Sequence, residues 1–217
     1  VAFSNILELL SDYKIEKFIF ASSSSVYGNT SNIPFSEMQP TVSPTSLYAA
    51  TKMSNELLAY SFAYNTNIPT IGLRFFTVYG PKGRPDMAYF KFADLISSHK
   101  KITVYNQGKM SRDMTYIDDI VNGTISAISF SDFGSKVDFE IFNLGNNSPI
   151  KTWDLIREIE GYFGYKSDYV YVDSSLEVKD TWADLSKSKK MLNYSPTTTF
   201  NDGIKSFLDW FTTYKKI

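Results

Sequence analysis

The chain has 217 residues, 43% of them hydrophobic, enough to bury a core as one large domain or two small ones, with 17 Phe and 15 Tyr to fill it. Its net charge of −1 comes from 22 basic and 23 acidic residues mixed along the chain, so there is no basic footprint for nucleic acid or an anionic membrane, and an anionic ligand must be met by local charges. Cysteine is absent and His99 is the single histidine, which excludes thiolate chemistry, disulfides and almost every zinc site, while no apolar run approaches the roughly 20 residues of a membrane span.

Phe3, Ile6, Leu7 and Leu10 have helical spacing, and this first helix is already under way at Val1, so we expect further chain upstream. KFIFASS, residues 17–23, is a short apolar run suited to a buried parallel strand. A loop carrying Pro34, Pro40 and Pro44 precedes a helix from Ser46 to Tyr64, which stops at Asn67 and Pro69. On that helix Ala50, Met53, Leu57, Tyr60 and Tyr64 form the apolar stripe expected to dock on the core. TIGLRFF then reads as a second buried strand. Alternation of helix and strand predicts a parallel sheet with helices on its faces and ligands at the carboxyl ends of its strands, where SSSSVYG and TVYGPKGRP lie.

Beyond Pro81 the pattern gives a GPKGRPD loop, a MAYFKFADLISS helix ending near a solvated His99, and two short strands in KITVYNQGKMSRDMTYI around Gly108. Asp118 and Asp119 are placed to cap a helix running to Ile128, and FEIFNLG supplies another strand. The tail alternates a helix (Trp153 to Phe163), a strand (Tyr169 to Val172), a short helix (Leu185 to Leu192) and a last helix (Phe200 to Tyr214). The fold class expected from this alternation is α/β, a parallel sheet with helices on its faces and a small second domain in the tail.

The chemistry centres on SLYAATK, in which Tyr48 and Lys52 sit four residues apart and therefore on one helix face. A phenol, with its ordinary pKa near 10, serves as a base at neutral pH only if its phenolate is stabilised, and a lysine one turn away does that. The pair alone also fits an exposed helix surface, and the four serines alone fit an ordinary loop. Together they place a hydroxyl at a strand end, 25 residues upstream of Tyr48, where both can meet one substrate oxygen.

A strand-end serine, then Tyr and Lys on a helix, then RFFTVYGP at the next strand end, is similar to the extended short-chain dehydrogenase/reductase family. Within it, SSSSVYG, SLYAATK, LRFFTVYGPKGRPDMA and RDMTYIDDIV resemble the UDP-glucuronate 4-epimerases. The resemblance implies the C-terminal part of a Rossmann-type doubly wound parallel sheet for NAD (residues 1–77 and 112–148) plus a small α/β domain for the UDP-sugar (residues 78–111 and 149–217), with Tyr48 as base, Lys52 lowering its pKa and holding the nicotinamide ribose, Ser23 on the reacting hydroxyl, and Phe75 near the nicotinamide. It implies that Ser25, Thr77 and Arg84 hold the sugar carboxylate, that Arg112 meets the diphosphate, and that Tyr105 and Asn106 line the nucleotide. The alternatives are a loop charge for Arg84, an ion pair with Asp113 for Arg112 and hairpin packing for Tyr105. It further implies a cytoplasmic homodimer built through a bundle of the first helix and the Tyr48 helix, with no nucleic-acid or membrane partner.

Two departures stand out. Leu176-Glu177 replaces a Gly-Asp pair of the family, and none of the 11 glycines forms the G-x-G turn that holds a dinucleotide pyrophosphate, which is expected upstream of Val1. Rival readings are UDP-glucose epimerisation, whose enzymes carry Asn in place of Thr77, and 4,6-dehydration or decarboxylation, which need a carboxylic acid where Ser24 and Ser25 stand. From another class comes a non-catalytic nucleotide-sugar-binding fragment.

Overall fold

A computed structural model describes residues 2–134, 136–174 and 179–217, so the Leu176-Glu177 departure lies outside the described residues. In chain order the elements are α1 (Ala2–Ser11), β1 (Phe18–Ser23), α2 (Leu47–Thr66), β2 (Thr70–Phe75), β3 (Thr77–Tyr79), α3 (Ala88–Ser97), β4 (Ile102–Tyr105) and β5 (Ser111–Tyr116). They continue with α4 (Ile117–Ser129), β6 (Phe139–Leu144), β7 (Pro149–Lys151), α5 (Thr152–Phe163), β8 (Tyr169–Val172), β9 (Asp180–Thr181), α6 (Ser186–Leu192) and α7 (Phe200–Lys215).

The chain divides into two units. The first contains residues 1–76, 121–144 and 183–195. Its sheet is parallel, in the order β1-β2-β6, and the register sets Ser22 opposite Arg74 and Ser23 opposite Phe75. Phe18, Ile71, Leu73 and Phe142 are among the aliphatic and aromatic side chains that make this apolar sheet, and Phe62 of α2 packs edge-on to Phe18 at 6.0 Å. α2 starts where Ser46 Oγ accepts the Ala49 N–H at 3.1 Å, and ends at Asn67, whose left-handed backbone (φ 55°) breaks the helix.

The face of α2 turned inward is not the predicted one. Ala49, Glu56, Ala59, Phe62 and Ala63 are buried, whereas Leu57, Tyr60 and Tyr64 are exposed and Ala50 and Met53 only half-buried. Alanines let the helix backbone approach the sheet closely, and the charge they bring inside with Glu56 is matched from β2, as described below.

The second unit contains residues 77–120, 145–182 and 196–217. β5 is its hub, pairing parallel with β3 and β9 and antiparallel with β7. That pairing groups residues 112–120 with this unit, and α6 packing on β6 groups 183–195 with the first. β4 pairs parallel with β8, not with β5, so the two strands flanking Gly108 do not form a hairpin. Asp118 and Asp119 lie inside the first turn of α4 instead of capping it; the Asp119 carboxylate accepts the N–H groups of Thr197 and Thr198, both at 3.1 Å. Phe207 and Phe211 of α7 are fully buried against Tyr89 and Phe90 of α3, with Ile156 and Ile159 of α5 completing the core. His99, two residues past α3, has its ring edge-on to Tyr165 at 4.3 Å.

Candidate active site

In the first unit the carboxyl end of β1 turns directly into a short 3-10 helix, Ser24–Tyr27. Ser23 caps it: its Oγ accepts the Ser25 N–H at 3.2 Å and donates to Ser25 Oγ at 3.1 Å. Gly28 closes the turn with φ 67°, in a place where a Cβ would lie 2.3 Å from the Ser43 carbonyl oxygen. Ser23 is thereby buried and Ser25 half-buried at the strand end, with Phe75 opposite Ser23 in register.

On α2 Tyr48 is 53% exposed, which leaves it accessible to a ligand. Lys52 Nζ lies 5.7 Å from the Tyr48 ring centroid and donates to the Ala21 carbonyl at 2.8 Å, so its ammonium is anchored to β1 beside the phenol. One of its three N–H groups is used in that anchor.

A polar network that sequence reasoning missed lies beneath this arrangement. Glu56, one turn past Lys52, accepts from Ser22 Oγ (2.5 Å), from Arg74 Nε (2.9 Å) and from Arg74 Nη2 (2.8 Å). The Arg74 guanidinium lies over the Tyr27 ring at 4.8 Å, and Tyr27 donates to Asn143 Oδ1 at 2.7 Å. Burial pushes the Tyr27 hydroxyl up to about 12 despite the neighbouring Arg74. Glu37, whose Oε1 accepts the Asn143 N–H at 2.7 Å, is also raised by burial, against that hydrogen bond and the charges of Lys187 and Arg74. Two signals pointed to the network: an arginine inside the apolar run TIGLRFF, and an acid four residues beyond Lys52.

The second unit contains a cavity of about 490 Å³. Thr77, Tyr105 and Arg112 line it, together with Lys91, Lys151, Asp86 and an apolar wall that includes Met87, Phe92 and Ile150. Arg112 Nη1 donates to the Ser111 carbonyl at 2.9 Å and to the Lys179 carbonyl at 3.3 Å, which orients the guanidinium. Its neighbour Asp113 is buried and accepts the N–H groups of Asn146 and Asn147. Tyr89 also lines the cavity, its hydroxyl pushed up to about 12 by burial; a Cβ on Gly83 would lie 1.9 Å from that hydroxyl. Arg84 stands in the exposed loop and pairs with the cavity residue Asp86 through Nε (3.0 Å) and Nη2 (2.5 Å). Asn106 is turned to the backbone of Ser174, donating to its carbonyl at 2.9 Å and accepting its N–H at 2.7 Å. Lys91 and Lys151 were not anticipated, since a lysine on a helix or at its start reads as a solvated charge.

Among the described residues no group of three or more His, Asp or Glu side chains could hold a metal ion, and no helix is long and apolar enough to cross a membrane. Residues 2–145 match the NAD dependent epimerase/dehydratase family. The chain belongs to that family. Among its curated relatives, an uncharacterized protein of Methanocaldococcus jannaschii is 51% identical over 208 residues, covering 95% of this chain and 62% of the relative. The UDP-glucuronate 4-epimerase of Thermodesulfobacterium geofontis is 40% identical over 208 residues, covering 95% of this chain and 62% of that enzyme. The chain thus spans less than two thirds of either. Among solved structures of the epimerase/dehydratase fold, UDP-glucuronic acid 4-epimerase from Bacillus cereus, in complex with UDP-glucuronic acid and NAD, superposes with a TM-score of 0.88 at 35% identity, over 98% of this chain and 66% of that one. MoeE5 in complex with UDP-glucose and NAD gives a TM-score of 0.90 at 27% identity, over 99% of this chain and 71% of that one. The α/β architecture with parallel sheets matches the Rossmann-like fold of the Bacillus cereus epimerase.

Proposed function

We propose that this chain carries the proton-transfer and sugar-nucleotide-binding machinery of a UDP-glucuronate 4-epimerase, interconverting UDP-glucuronate and UDP-galacturonate with NAD as a resident cofactor. The observation that carries the reading is the Tyr48–Lys52 pair, an accessible phenol beside an ammonium anchored on the Ala21 carbonyl, on the helix that follows the Ser23 strand end. Support for the substrate comes from relatives and solved neighbours named for UDP-glucuronate, one of them a tyrosine-to-phenylalanine mutant of the Bacillus cereus enzyme.

The residues fit the nicotinamide end of the cofactor. Lys52 has N–H groups left for a ribose hydroxyl, and Phe75 ends β2 opposite Ser23. When bound, NAD supplies a reversible oxidant for carbon 4 of the sugar. The Tyr48 phenolate oxygen takes the proton of the carbon 4 hydroxyl and returns it after the sugar has presented its other face, so no net oxidation results. Lys52 holds positive charge beside that oxygen throughout, and Ser23 Oγ orients the reacting hydroxyl. Donors suited to the sugar carboxylate are Ser25 in the first unit and Thr77 and Arg84 in the second. The cavity of the second unit, with Arg112, Lys91, Lys151 and Tyr105, suits a nucleoside diphosphate, which needs cations and an aromatic face. Exposed apolar side chains on α1 and α2, among them Leu9, Leu57 and Tyr64, support a homodimer formed through these helices.

The test is conversion of UDP-glucuronate by the full-length gene product, followed by NMR of the sugar. Tyr48→Phe abolishes turnover while calorimetry shows UDP-sugar binding nearly intact; activity surviving within about tenfold means Tyr48 is not the base.

A further inference from the structure

The geometry points to Glu56 as a positioning residue that sets the Tyr48–Lys52 helix against the strand ends of the site, an inference that rests on the epimerase reading. Glu56 lies two turns beyond Tyr48, about 12 Å along the helix axis. A charge buried to 8% exposure on the sheet-facing side of a helix has to be matched there, and the match fixes where the helix sits. Both partners come from the sheet: the Ser22 hydroxyl on β1 and the Arg74 guanidinium on β2. They face each other in register, and the next pair in that register is Ser23 and Phe75. One carboxylate thus holds the two residues that immediately precede the proposed hydroxyl-binding and nicotinamide-side residues. Arg74 extends the tie through its contact with the Tyr27 ring to the turn that carries Ser24 and Ser25. Lys52 makes a separate attachment through the Ala21 carbonyl, so removing Glu56 frees the helix in rotation and height without detaching it.

Two substitutions separate positioning from plain electrostatic support. Glu56→Asp keeps the charge opposite Arg74 but withdraws it by one carbon–carbon bond, about 1.5 Å. Glu56→Gln keeps the reach and loses the charge. If the carboxylate positions the helix, kcat per folded molecule falls further in Glu56→Asp than in Glu56→Gln, by about tenfold or more from wild type, with KM for UDP-glucuronate within about twofold. If it only neutralises Arg74, the order reverses, and that result overturns the inference. Ser22→Ala, which leaves the ion pair intact and folds without a buried unpaired charge, lowers kcat by about three- to tenfold at unchanged KM; wild-type kcat there also overturns it. Hydrogen exchange on the same proteins gives a readout independent of turnover. Should wild type not epimerise UDP-glucuronate, the reading of the reaction fails, and exchange then decides the positioning alone. Faster exchange confined to residues 20–27 and 47–53 in Glu56→Asp supports it, and a uniform change or none overturns it.

Discussion

Replacing Arg74 with methionine tests how much of the first unit hangs on one buried ion pair. The Arg74 and Glu56 side chains are 5% and 10% exposed and joined by two hydrogen bonds of 2.9 and 2.8 Å, so neither charge is solvated in the folded state. Arg74→Met leaves the carboxylate buried with Ser22 as its remaining donor, a loss of about 3–5 kcal/mol for a broken buried pair. The contact with the Tyr27 ring at 4.8 Å is lost too, but a methionine in its place recovers part of that packing. At about 2–4 °C per kcal/mol for a chain of this size, the midpoint drops on the order of 10 °C. In the double variant Glu56→Met/Arg74→Met both charges are gone, the volume is kept, and the main residual cost is the Ser22 hydroxyl, about 1 kcal/mol. Urea unfolding followed by far-UV circular dichroism measures wild type, Arg74→Met, Glu56→Met and the double variant at neutral pH. A single variant costing less than about 1 kcal/mol, or a double variant as unstable as the sum of its parts, would refute the claim that the pair is coupled and desolvated.

Other expectations concern the site and the pH dependence. Lys52→Met lowers kcat for epimerisation by about tenfold or more, because the cation beside the phenol and its tie to the Ala21 carbonyl are both lost; a wild-type kcat removes that role from Lys52. Arg84→Ala lowers kcat/KM for UDP-glucuronate by about ten- to a hundredfold and for UDP-glucose far less, with Thr77→Asn shifting the preference in the same direction; equal losses on both sugars leave the carboxylate unread by these residues. Glu37 carries a raised carboxyl pKa, so its contribution to stability is present below its ordinary value of 4.5 and is lost as pH rises through the folded-state value. Glu37→Gln, which can still accept the Asn143 N–H, therefore raises the melting midpoint at neutral pH, and the gain vanishes in melts below about pH 4.5.

What could be read from the sequence alone was local. Ser46 and Asn67 mark the ends of α2 because capping and left-handed backbone are properties of single residues. The apolar runs around Phe20 and Leu73 became neighbouring parallel strands, and Tyr48 and Lys52 share a face because helical spacing is set by the backbone. Tertiary structure decided what each face meets. The large apolar stripe of α2 with Leu57 and Tyr64 stayed outside, while the alanines and a charged Glu56 went in, since close approach to the sheet and a partner 18 residues away outweigh hydrophobicity counted along one helix. β4 found β8 rather than β5, and Thr77, Tyr105 and Arg112 came to line one cavity with two lysines that no motif singled out. Spacing along the chain fixes the direction of a side chain relative to its own backbone; which distant group satisfies its charge or covers its surface is settled only when the whole core packs at once.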